Sequence, residues 1–264
     1  MKTSFFVYLF FIWSLMIKAS NVNYKFGNFV TVATWNIGHF SNGNKNYTII
    51  SETDYERKLI QFRQLIYEDL CPDVICLNEY SAIFGKNRNG HEQAAKDALF
   101  DGFRKCIIGD QRWYSCNALF GNCKLKRLKQ NDFECCKSWL LNNPKADQYY
   151  YISADLYIGW KKLKLVCVHL YPWDSKIRSE QMQELIDIYR NSKRVLMCGD
   201  WNTEDYSLFK NAGYALVNDG SNATFPPKKM ALDNIIVKGL NISNVRMIKT
   251  DLSDHYPLVC RISL

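Results

Sequence analysis

Only four histidines occur in the 264 residues, and they are far apart: His39, His91, His169 and His255. None of the ten cysteines forms a C-x-x-C pair, so a structural zinc site of the usual spacing is disfavoured. The phosphate loop G-x-x-x-x-G-K-[ST] is missing, which leaves an NTPase reading without a basis. The G-x-S-x-G elbow is missing too, which removes the usual serine hydrolase. No apolar run beyond the N-terminus approaches the roughly 20 residues a bilayer span needs. There is no internal repeat and no Pro/Gly/Ser-rich linker, so the chain reads as one domain. A composition of 47% hydrophobic and 23% charged residues excludes a wholly disordered, collagen-like or coiled-coil protein and provides for one sizeable core.

The N-terminus differs from the rest. Lys2 supplies positive charge, Phe5 to Ile17 form an apolar run broken only by Ser14, and Ala19-Ser20 offer small residues for cleavage. The alternative, a membrane anchor, needs a longer run than Lys18 allows. Residues 1–20 therefore read as a signal peptide and 21–264 as the mature domain, secreted or periplasmic. The net charge is +8; removing Lys2 and Lys18 leaves 8 − 2 = +6. That balance favours a polyanionic partner, such as nucleic acid or an anionic membrane, and nothing calls for a stable protein partner.

Export makes disulfides admissible. Cys76, Cys167, Cys198 and Cys260 lie within apolar, strand-like runs and read as buried thiols. Cys106, Cys116, Cys123, Cys135 and Cys136 cluster in a polar stretch and are candidates for bridges of undecided connectivity, with Cys71 as a further partner.

Strand-like and helical patterns interleave along the chain. Strands are expected at Phe29 to Trp35, Val74 to Leu77, Arg104 to Ile108, Ala118 to Phe120, Tyr149 to Ile158, Leu163 to Leu170, Arg194 to Cys198, Leu232 to Val237, Ile242 to Ile248 and Leu258 to Ile262. Helices are expected at Tyr55 to Leu70, Glu92 to Phe100 and Ser175 to Arg190, and Gly121 to Asp147 reads as a long loop or insertion. Interleaved helices with adjacent strands fit mixed sheets in one α/β domain better than a purely parallel sheet.

Polar residues recur where these strands end. Trp35-Asn36, Asn78-Glu79, His169, Gly199-Asp200-Trp201-Asn202, Asp233 and Ser253-Asp254-His255 would share one rim if the strands lie side by side. Hard oxygen donors of this kind suit Mg²⁺, Mn²⁺ or Ca²⁺, and two histidines beside such an ion can move protons in phosphate ester hydrolysis.

These motifs fall in an order that resembles the endonuclease/exonuclease/phosphatase superfamily, the DNase I-like fold. The segments are Trp35-Asn36, Leu77-Asn78-Glu79, Val168-His169-Leu170, Gly199-Asp200-Trp201-Asn202, Leu232-Asp233-Asn234-Ile235 and Ser253-Asp254-His255-Tyr256-Pro257. The resemblance implies a four-layered α/β sandwich of two packed mixed β-sheets flanked by helices. It implies that Glu79 holds Mg²⁺, with Asn36 and Asp254 nearby. Asp200 and Asn202 would position phosphate and water, His255 oriented by Asp233 would activate the water, and His169 would serve the opposite side of the phosphate. Departures are Asn78, Trp201 and Asn234, where the family more often has Gln, Phe, and His, Tyr or Arg. Tyr171 and Trp173 are candidates for an aromatic substrate wall, and His39 for a phosphate contact. The expected activity is hydrolysis of a phosphodiester, foremost in nucleic acid; a lipid or small phosphoester is the alternative, and a catalytically silent binding module a third reading.

Overall fold

The computed structural model describes residues 28–38, 52–80, 99–110, 116–140 and 149–264. The expected signal peptide, His39, His91 and most of the expected helix at Glu92 to Phe100 lie outside these residues. Twelve strands form two six-stranded sheets. The strands are β1 Phe29–Asn36, β2 Val74–Tyr80, β3 Lys105–Ile108, β4 Cys116–Gly121, β5 Lys124–Asp132, β6 Tyr150–Ile158, β7 Lys161–His169, β8 Val195–Asp200, β9 Ala215–Leu216, β10 Asp233–Lys238, β11 Asn241–Met247 and β12 Leu258–Ser263. The first sheet runs β11-β12-β1-β2-β4-β3 and the second β5-β6-β7-β8-β10-β9. Each is mixed, with parallel pairs among the described residues only at β1/β2 and β7/β8. Among the described residues no helix is long and apolar enough to cross a membrane.

Period-two alternation separates the layers. Val30 and Val32 of β1 and Val74 and Cys76 of β2 face Leu165 and Cys167 of β7 and Leu196 and Cys198 of β8 in the core between the sheets. Ala33, Trp35, Ile75 and Leu77 point the other way, where α1 (Glu52–Gln64), continued by a π-helical turn at Leu65–Leu70, covers them with Phe62, Ile66 and Leu70. The helix stops at Cys71, whose φ of 44° is left-handed and whose N–H returns to the Ile66 carbonyl at 2.9 Å. A four-residue helix, α2 (Lys137–Leu140), precedes β6. Outside the second sheet, α3 (Ser175–Ile188) buries Ile177, Met182, Leu185 and Ile186 against Val166, Val168, Val195 and Met197. Asp174 caps α3 by accepting the Lys176 and Ile177 N–H groups. Helix, sheet, sheet and helix make the four-layered α/β sandwich.

Two expectations need correction. Lys124–Asp132 is not a loop: it is an edge strand, paired with β6 and admitted to the sheet because Leu125 and Leu128 pack inward between its cations. The expected cysteine bridges are absent as well, and all ten cysteines are free. Cys116 belongs to the layer under α1, Cys136 to the layer under α3, Cys123 packs on the sandwich core and Cys106 is exposed, so sequence proximity does not bring these thiols together. The neighbours Cys135 and Cys136 keep their sulfurs 3.7 Å apart, beyond the roughly 2.05 Å of a bond.

Candidate active site

The inward rows of the sandwich core end in polar residues at one pole. Leu165-Cys167 continues to His169, Leu196-Cys198 to Asp200, and Ile235 runs back to Asp233, with registers His169↔Asp200 and Asp233↔Asp200. On the facing sheet Val32 and Thr34 lead to Asn36, and Val74 and Cys76 to Asn78, with register Asn36↔Asn78. Because side chains alternate strictly, the hydrophobic pattern that builds the core also aims these polar groups into the cleft between the sheets. Two backbone departures finish the rim. Opposite the stretch of β4 between Cys116 and Ala118, β2 carries the two residues Asn78 and Glu79, and Glu79 has φ 52°. Asn202, just after β8, has φ 51°. Left-handed conformations are costly for such residues and are held here by the bulge and by the Asn202 Nδ2 bond to the Leu170 carbonyl, 2.9 Å.

Asn36 lies between two carboxylates: its Nδ2 donates to Glu79 Oε1 at 3.1 Å and to Asp200 Oδ2 at 3.0 Å. His169 Nε2 stands 4.0 Å from the same Glu79 oxygen and 3.7 Å from the same Asp200 oxygen. On the other side His255 Nε2 is 3.8 Å from Asp200 Oδ2, while His255 Nδ1 is 2.7 Å from Asp233 Oδ2. Asp200 Oδ1 accepts the Asn202 N–H at 2.8 Å. Asp254 faces Gly38, whose φ of 51° strains any other side chain and where a Cβ would come 2.5 Å from Asp254 Oδ1. The sequence-expected residues Glu79, Asn36, His169, Asp200, Asn202, Asp233, Asp254 and His255 thus meet at one rim. Tyr171 and Trp173 lie beyond His169, edge to face at 5.4 Å, with Tyr171 stacked on Tyr149 and Trp173 76% exposed. Trp201 packs into the core against Phe209 and donates to the Asn234 carbonyl.

Burial, and then the Asp233 carboxylate, push Asp200 above the usual carboxylate range, against the pull of both imidazoles and of Asn36. Burial works against protonated His255, yet Asp233, by charge and hydrogen bond, together with Asp200 and Asp254, lifts it to about 10. Glu79 and Asp200, joined through the Asn36 amide, are hard oxygen donors whose chemistry suits a divalent cation. Asp200, Asp233 and His255 also offer ligand atoms within 4.8 Å of one another.

The sequence reading left several supporting residues unassigned. Asn78 is fully buried and ties the sheets together, accepting the Asp200 N–H at 2.9 Å while donating to the Val168 carbonyl and to Asn117 Oδ1, both at 2.7 Å. Ser253 Oγ donates to the Asn36 carbonyl at 2.8 Å and accepts the His255 N–H at 3.1 Å. The Phe225 ring lies 4.6 Å from the His255 ring, and Thr224 Oγ1 accepts the Asp233 N–H. Asn117 carried a readable signal, a lone amide inside a strand whose six residues are all buried. Phe225 carried none, since its loop is distant in sequence from every other site residue except Asp233.

The sequence profile described as the Endonuclease/Exonuclease/phosphatase family matches residues 33–255. No curated protein sequence gives a match. Among solved structures, a family protein from Leptotrichia buccalis is similar at TM-score 0.64 and 17% identity, covering 89% of this chain and 100% of its own. D. rerio TDP2 in complex with a single-strand DNA product gives TM-score 0.61 at 17% identity, covering 90% and 100%. The human Nocturnin catalytic domain with bound sulfate anion gives 0.62 at 20%, covering 89% and 93%.

Proposed function

The chain belongs to the Endonuclease/Exonuclease/phosphatase family, and from that premise we propose that it is an exported, divalent-metal-dependent phosphodiesterase acting on nucleic acid. One observation carries the reading: the Nε2 atoms of two imidazoles, His169 and His255, stand 3.7 and 3.8 Å from one oxygen of Asp200, beside Glu79. Two proton-carrying groups on either side of a carboxylate can serve the attacking and the leaving oxygen of an in-line displacement.

Glu79 would hold Mg²⁺, with Asn36 orienting its carboxylate and Asp254 as a further oxygen donor. When bound, the ion supplies charge neutralisation at the phosphate oxygens. Mn²⁺ or Ca²⁺ would meet the same donors. The 2.7 Å bond to Asp233 holds the His255 ring with Nε2 toward Asp200, which supports a role for these two residues in proton handling. In its neutral form His255, held through Nδ1 by Asp233, takes the proton of the attacking water at Nε2. Asp200 and Asn202 position that water and the phosphate, and His169 donates to the phosphoryl or leaving oxygen. Tyr171 and Trp173 form an aromatic wall for bases. The net charge of 8 − 2 = +6 left after Lys2 and Lys18 are removed, and the DNA product bound by the D. rerio neighbour, support a nucleic-acid substrate. Lys2, the apolar run Phe5 to Ile17, and Ala19-Ser20 support export.

Turnover of plasmid DNA, bis-p-nitrophenyl phosphate and sphingomyelin, measured side by side with Mg²⁺, tests the reading. Cleavage of the first two is expected. Hydrolysis of sphingomyelin alone would move the substrate to lipid, and inactivity on all three would leave a binding module.

A further inference from the structure

The run Lys124-Leu-Lys-Arg-Leu-Lys129 would not keep all its cations on one side of a regular strand. A bulge makes it do so. Register with β6 shifts between Lys126↔Asp155 and Lys129↔Ser153, and Arg127 takes a left-handed φ of 52°, so Leu125 and Leu128 both pack inward while Lys124, Lys126, Arg127 and Lys129 stay outside. On the neighbouring strands Lys124 pairs with Tyr157, and Tyr157 with Lys162. The Lys124 Nζ lies 4.8 Å from the Tyr157 ring centroid and 5.7 Å from that of Trp160. Residues 124–129 and 153–164 hold seven basic side chains against one acid, Asp155, which is buried, engaged by Lys164 at 2.7 Å, and approached at its other oxygen by Arg127 at 3.5 Å and Lys162 at 4.0 Å, so one carboxylate offsets only part of the charge.

Lysines on an edge strand discourage sheet-to-sheet pairing, and that alone would account for β5. It does not account for Trp160. This residue caps the β6–β7 hairpin, follows Gly159 at φ 57°, and is 93% exposed, between Ile158 and the pair Lys161-Lys162. The hairpin stands at the far pole from the active site, since β7 runs from Lys161 to His169; at about 3.3 Å per residue that is roughly 26 Å.

From this juxtaposition we infer that the β6–β7 hairpin and β5 form a docking surface for anionic phospholipid membranes. Trp160 enters the interface and the surrounding cations meet the headgroup phosphates. Indole rings suit the boundary between headgroup and acyl layers, and each nearby cation adds attraction to an anionic leaflet. A nucleic acid is the less fitting occupant: the aromatic stands on a convex apex rather than in a groove, and the phosphates it would gather lie away from the catalytic rim. Docking by this pole turns the catalytic rim away from the bilayer, so the bound protein acts on soluble substrates.

Co-sedimentation of the exported protein with vesicles tests this, in about 100 mM salt. The parent should pellet with phosphatidylcholine vesicles containing roughly 30% phosphatidylserine and remain in solution with pure phosphatidylcholine. Trp160→Ala, and separately Lys124→Glu with Lys126→Glu, should each weaken binding by about tenfold or more, with hydrolysis of bis-p-nitrophenyl phosphate and the circular dichroism spectrum unchanged. Failure of the parent to bind anionic vesicles, or variants that bind as tightly as the parent, would overturn the inference. Loss in the same variants of affinity for a single-stranded oligonucleotide, without any vesicle binding, would assign the surface to nucleic acid instead. Vesicle binding is read without turnover, so its failure is separable from failure of the proposed activity.

Discussion

Asn78, on the first sheet, accepts the backbone N–H of Asp200, on the second, at 2.9 Å. A fully buried amide thereby fixes the height of the central carboxylate relative to Glu79, its own sequence neighbour. Asn78→Ala leaves the Asp200 N–H, the Val168 carbonyl and Asn117 short of a partner, each costing about 1–3 kcal/mol. We expect a loss of roughly 3 kcal/mol in urea unfolding. A variant with unchanged midpoint would show that the tie contributes nothing to stability.

The Asp233–His255 pair gives stability a pH dependence. The His255 pKa rises from 6.5 to about 10 on folding, so its contribution is fully present below pH 6.5 and is lost as pH rises through about 10. Stability should decline across that window, and Asp233→Asn should flatten the decline. Chemical denaturation at several pH values checks it, and an NMR titration placing the His255 midpoint near 6.5 would contradict it.

Catalysis should respond to the same residues. His255→Ala and His169→Ala should each lower kcat by about 10² to 10⁴-fold, and the double variant should be little worse than the poorer single one, because both act on one transition state. Near-parental kcat in His255→Ala, with fold intact, would assign activation of the water to Asp200.

Glu79→Gln preserves size and removes the charge proposed to hold the ion. Mg²⁺ should raise the melting temperature of the parent and leave that of the variant unmoved, and EDTA should abolish turnover of the parent. Full activity in EDTA would remove the metal from the mechanism.

With all ten thiols free, unreduced denatured protein should take up ten alkyl groups. In the native protein the exposed Cys71 and Cys106 should react first, and the buried Cys76, Cys167, Cys198 and Cys260 only on unfolding. A mass deficit of about 2 Da per bridge before reduction would restore the disulfide reading. For export, N-terminal sequencing of secreted protein should begin close to residue 20.

The sequence by itself determined the layers and the polar ends of the strands. The near-continuous apolar runs in Phe29–Asn36 and Lys161–His169 require cover on both faces, and the period of two that sends Leu165 and Cys167 inward sends His169 with them. What it left open depended on partners distant in the chain. Asn78 gains its meaning from Val168 and Asp200 across the sandwich, and Phe225 from the His255 ring. The cysteines from 106 to 136 look like neighbours along the chain, but the fold distributes them among different layers. The polar Lys124 to Lys129 run reads as a loop until β6 supplies the hydrogen bonds and the inward packing that make it an edge strand. Local pattern fixes which way a side chain points relative to its own backbone; which groups it then meets is set by sheet order and by the packing of one sheet on the other.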